Sequence, residues 1–152
     1  MDPTASQARF GHAMALVRLH HYPEARVVLE DATRTHPEQP GLAHAFARLL
    51  AAAPDDMVRD GTRALSMIEA LERTNGLTVT LAESSAMALA ETGRFKDAVA
   101  RQRQAIAMAT QAGRGDLANR LAGNLHRYES GMPSRMPWAD DDPVHFPNAA
   151  PR

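Results

Sequence analysis

A repeat of 34 residues constrains this chain more than any other feature. Arg94-Phe95-Lys96-Asp97-Ala98, entered through Gly93, has an earlier counterpart in His21-Tyr22-Pro23-Glu24-Ala25. Both place an aromatic residue three positions before an alanine, with an acidic residue between. A degenerate copy lies midway, with Gly61 in the aromatic slot and Ala64 in the alanine slot. Ala25, Ala64 and Ala98 are thus spaced by 39 and 34 residues. Ala13, Ala47 and Ala86 are spaced by 34 and 39, and so are Leu16, Leu50 and Leu89. One period, with five residues inserted between Leu50 and Ala64, accounts for all three series. A fixed period of this length marks stacked supersecondary units, each burying its apolar face against its neighbours. An array of that kind offers a surface for binding rather than a pocket built for chemistry.

Helical periodicity and chain breakers divide the repeat into elements. Asp2-Pro3 is a helix-start signature, a capping acceptor followed by proline in the first turn. Phe10, Ala13, Met14, Leu16 and Val17 then follow helical spacing to about His20. A second helix is predicted from Pro23 to about His36, ended by Pro37 and Pro40, and a third from about Gly41 to Ala53. Pro54-Asp55-Asp56 is a turn, and a fourth helix follows over about Met57 to Thr74, with Gly61 in it or at its start. Asn75-Gly76 is a stop. Helices five, six and seven are predicted over about Thr78–Thr92, Phe95–Ala112 and Asp116–Glu129. No stretch alternates with period two, so no sheet is expected. Residues 131–152 change character, with five prolines (Pro133, Pro137, Pro143, Pro147, Pro151) and the only tryptophan, Trp138. Prolines at that density exclude helix and favour an extended chain. The expected organisation is a helical repeat domain over 1–130 and a proline-rich extended tail over 131–152.

Composition narrows the function. With 152 residues the chain has room for one domain. Its net charge of −1 gives no electrostatic basis for nucleic-acid binding. The absence of cysteine removes disulfides, thiolate metal sites and thiol nucleophiles. No apolar run is long enough to span a bilayer, and Met1-Asp2-Pro3-Thr4 lacks the start of a secretory signal. For a complete chain the expected compartment is the cytoplasm, an expectation that lapses if this is the end of a larger protein.

Helix pairs of this period with these residues resemble the tetratricopeptide repeat family, of bacterial type. The small residue of the family's first helix corresponds to Ala13, Ala47 and Ala86. The turn aromatic corresponds to Tyr22 and Phe95, the small residue early in the second helix to Ala25, Ala64 and Ala98, and the later one to Ala32 and Ala105. Pro37 matches the proline after the second helix. Leu121 to Arg135, with Leu125, Tyr128, Gly131 and Pro133, resembles the closing helix of bacterial arrays. The large aromatic usual early in the first helix is missing, with Arg9, Ala43 and Ala82 near that slot, and Leu71 replaces the later small residue of the middle repeat. The resemblance covers about Ala8 to Ala112. It implies an all-α solenoid, three antiparallel helix pairs in a right-handed superhelix, with a terminal capping helix.

The resemblance also implies that the first helix of each pair lines a concave face. The residues placed there are Phe10, Met14, Val17 and Arg18, then His44, Arg48 and Ala51, then Glu83, Met87 and Glu91. Apolar side chains at one end grading into charge at the other suit an extended or helical peptide with an apolar anchor. A carboxylate clamp of the kind that grips chaperone C-termini is not expected, because Arg48 alone supplies it and no asparagine accompanies it.

Candidates for chemistry are weak. The seven histidines have no partner at metal-ligand spacing, and no HExxH pair exists. Asp140-Asp141-Asp142 lacks the alternate spacing of a calcium loop. Ser84-Ser85 has no visible histidine and acid partner, and Gly113-Arg114-Gly115 lacks the lysine and the strand of a phosphate loop. No catalytic residue, metal or cofactor is expected. Trp138 is the anchor of the tail: it folds back onto helix seven or the convex face, or it docks into a partner or a second copy, giving weak self-association. The chain is therefore expected to be a non-enzymatic interaction module that binds a protein or peptide partner, with neither nucleic acid nor membrane. The alternative is an accessory or C-terminal domain that holds the catalytic partner of an enzyme or electron-transfer system.

Overall fold

A computed structural model describes residues 3–145. The described residues form seven α-helices and no strand. The helices are α1 (Pro3–Arg18), α2 (Tyr22–Thr35), α3 (Pro40–Ala52), α4 (Gly61–Asn75), α5 (Val79–Glu91), α6 (Phe95–Gln111) and α7 (Gly115–Glu129). A short 3-10 turn, Pro143–His145, follows. Each helix packs against the next, α3 also packs against α5, and the 3-10 turn packs against α1. The expected cap Asp2 and the tail prolines Pro147 and Pro151 lie outside the described residues.

The repeated alanines are where helices touch. Ala13, Ala47 and Ala86 have no exposed surface, and neither do Ala25, Ala64 and Ala98, nor Ala32 and Ala105. A methyl side chain at a helix contact lets two backbones approach closely, and anything larger forces them apart. The interval therefore records one packing requirement met three times. Phe46, Leu29, Leu49, Leu50 and Ile68 fill the remaining space of the main core.

The turns repeat as well. The amides of Gly93 and Arg94 donate to Ala90 O (3.0 Å) and Leu89 O (2.9 Å). The same pair of bonds closes α6 at Gly113 and Arg114, and α7 at Gly131 and Met132. These are double helix-ending bonds with the first residue in the left-handed region, at φ 82, 73 and 71 respectively. The end of α1 uses the same pattern, with His20 at φ 61 in the place of glycine.

The middle repeat departs from the expectation at its start. Helix α4 begins at Gly61, not near Met57. Asp60 caps it, its side chain accepting from the Arg63 amide at 3.1 Å. The inserted residues form a loop between α3 and α4. Val58 turns into the core, the Asp60 amide donates to Leu50 O (2.9 Å), and Arg59 donates to Ala53 O (2.8 Å) and Pro54 O (3.1 Å). Gly61 lies against the end of α5. A Cβ placed on it would stand 2.7 Å from Glu91 Cγ and 3.3 Å from Thr92 Cγ2. This is why glycine fills the aromatic slot of this copy.

Candidate functional site: the face crossed by the tail

After Gly131 the chain turns back and crosses α5, α3 and α1 in that order. Arg135 donates to Glu91 on α5 at 2.5 Å. Arg48 on α3 donates through Nε to the backbone carbonyl of Pro137. The Arg48 guanidinium also lies over the Trp138 ring, 5.6 Å from its centroid, within the range of a cation–π contact. Val144 and Trp138 pack on the same core cluster as Phe10, Met14 and Leu42. Pro137 and Ser134 are buried, while Met136 between them is exposed.

The tail therefore folds onto its own domain, at a place the sequence did not indicate. Trp138 sits on α3 rather than on α7. The residues expected to line an open face are divided by this arrangement. Met14, Val17, Ala51 and Met87 are core side chains. Phe10 is half-buried against that core, and Arg18 is exposed at the rim of a cavity. Arg48 is only 7% exposed, and the mostly buried Glu83 pairs with it at 2.5 Å. Glu91 is bound by Arg59 at 3.1 Å as well as by Arg135.

His44 belongs to the same group. Its Nε2 stands 2.9 Å from Ser84 Oγ, which also accepts from Arg48 at 3.3 Å. Burial, and next the Arg48 charge, lower the His44 pKa to about 4, against a weaker opposing hydrogen bond to the Thr80 backbone. The ring is thus neutral at pH 7. An oriented Ser–His pair is the arrangement that activates a nucleophile, and the partner of Ser84 stands 40 positions away, beyond any local spacing. Here Ser84 has no exposed surface, so Oγ meets no substrate atom in this arrangement. The pair closes a hydrogen-bond chain under the tail. Tyr128 of α7 is also buried, and burial, then the Glu83 charge, raise its phenol pKa.

Beside Val144 and His145, the last described residues, a cavity of about 710 Å³ opens between α1 and the start of α3. Phe10, Met14 and Leu42 form its apolar wall, and Val144 and His145 close one side. Among the described residues no three histidine or acidic side chains come together as metal ligands, and no helix is long and apolar enough to cross a membrane.

Sequence reasoning missed Arg135, Pro137 and Ser84 as members of the site. The local signal available was the cluster Arg135-Met136-Pro137-Trp138, which carries a charge, a rigid backbone and a large ring in four residues. No protein-family model, curated protein or solved structure matches this chain.

Proposed function

We propose that the chain is a tetratricopeptide-like solenoid of three helix pairs, closed by α7, that binds an extended peptide or partner protein along the α1/α3/α5 face. It works as a docking module and catalyses no reaction. One observation carries this reading: a proline-containing segment without helix or strand already lies on that face, held by Arg48 through a backbone carbonyl and by Glu91 through a basic side chain. A face that captures a carbonyl and buries a proline suits chains without regular structure, because extended proline-rich segments enter with little ordering entropy. The cavity beside Phe10 and Leu42 extends the apolar surface alongside Val144 and His145.

Site-specific photocrosslinking in the native host tests the reading. A benzoylphenylalanine in place of Phe10 should give discrete protein adducts, and one in place of Val27, exposed on α2, should not. Equal labelling from both positions, or none from Phe10, would reject a docking role for this face.

A further inference from the structure

We infer that Arg135-Met136-Pro137-Trp138 is a tethered copy of the ligand this face takes from other proteins: a segment outside helix and strand, bent at its proline and ring, with arginine, any residue, proline and an aromatic ring in that order. The inference deepens the binding role above and rests on it.

Each anchor of the tail reads a different chemical feature. Glu91 takes the arginine in a charge-assisted bond. Arg48 takes the carbonyl of the proline, whose ring is buried and which has no N–H to leave unpaired. The same guanidinium forms the platform for the aromatic ring. The second position is free, since Met136 is 59% exposed. The distance between Glu91 on α5 and Arg48 on α3 fixes the spacing of arginine and proline, so order and register are set by the helices.

The face is also satisfied without the tail. When the tail leaves, Arg48 keeps Glu83 and Ser84, and Glu91 keeps Arg59. No buried charge is orphaned, which is the usual large cost of pulling a buried ion pair apart. The helices hold the anchors in place, so the vacated face is pre-organised for a second segment of the same chemistry. From Ser134 to Asp142 the tail lies in no helix and no strand ladder, so releasing that stretch leaves intact the bonds that close α7 at Gly131 and Met132. A tethered competitor acts at an effective concentration on the order of millimolar. It therefore weakens a free ligand of equal intrinsic strength, and only a better-matched or multivalent partner displaces it.

The test uses the full chain and a fluorescein-labelled peptide of the sequence Met132–Asp142. The tail is released by the double substitution Arg135→Glu with Trp138→Ala, and thermal melting checks that the released chain folds. The peptide should bind the released chain saturably, and the unsubstituted chain at least about tenfold more weakly. Adding Arg48→Met to the released chain should abolish binding, and an unlabelled peptide carrying both tail substitutions should fail to compete. Absence of saturable binding to a cooperatively melting released chain overturns the inference, and so does equal affinity for both chains. If the released chain no longer melts cooperatively, the tail is part of the core and the inference is equally overturned. Sedimentation as a dimer, reverting to monomer on release, would replace the tethered copy by a second molecule's tail. Adducts at Phe10 that persist while the peptide fails would discard the motif and keep the docking face.

Discussion

Gly61 and Glu91 compete for one space: a Cβ on the glycine would stand 2.7 Å from the glutamate's Cγ. Glu91 cannot turn aside freely, because Arg59 and Arg135 hold its two carboxylate oxygens at 3.1 and 2.5 Å. The missing aromatic of the middle repeat and the anchoring of the tail are thus consequences of one side chain's position.

Gly61→Ala is therefore expected to destabilise the protein by about 1–3 kcal/mol through overpacking. The sequence alone suggests a neutral or slightly favourable change, since alanine is the better helix former. The φ of Gly61 is not in the left-handed region, so the loss would come from contact and not from backbone strain. An unchanged denaturation midpoint would mean that the Glu91 side chain yields.

His20 sits at φ 61, where Gly93, Gly113 and Gly131 end other helices. A left-handed residue with a Cβ costs roughly 1 kcal/mol relative to glycine. His20→Gly should raise the stability by up to about that amount, less what is lost from its stacking on Tyr22 at 5.7 Å. Gly93→Ala should act in the opposite direction. Denaturant midpoints that move the same way for both substitutions would contradict the shared turn geometry.

Ala86 has no exposed surface and packs with Leu89, Ala90, Ala98 and Tyr128. Ala86→Leu should destabilise by about 1–3 kcal/mol. Calorimetry showing an unaltered melting temperature would remove this alanine from the helix contact.

His44 makes stability depend on pH. Its folded pKa of about 4 lies below the ordinary value of 6.5, so between these values the unfolded chain binds the proton and the folded chain does not. Stability contributed by the neutral ring is complete above pH 6.5 and is lost as pH falls toward 4. The shift corresponds to a loss on the order of 3 kcal/mol. Urea denaturation of the His44→Gln chain should show a weaker fall over that window. Parallel pH profiles for the two chains would place the acid sensitivity elsewhere.

Much of the helical framework is legible in the residues. Alanines at fixed intervals, prolines and glycines between them, and helical spacing of the apolar side chains are local signals, and the helix ends agree closely at six of the seven elements. The start of α4 was not legible, because Met57 and Val58 continue the helical pattern while the turn that excludes them is made by Asp55, Asp60 and Arg59 bonding to backbone elsewhere. The placement of the tail was not legible either. Met14, Val17 and Met87 read equally well as surface or as core, and only packing assigned them to the core.

By itself the sequence determined that this chain makes helices, where they break except at the start of α4, and which small residues lie at their contacts, because those properties depend on neighbours within a few turns. The tertiary structure alone decided that Arg48 meets Pro137, 89 positions further along the chain, and that Ser84 meets His44, 40 positions away. Such meetings follow from how helices stack and where a chain without periodicity comes to rest, and no local spacing encodes them.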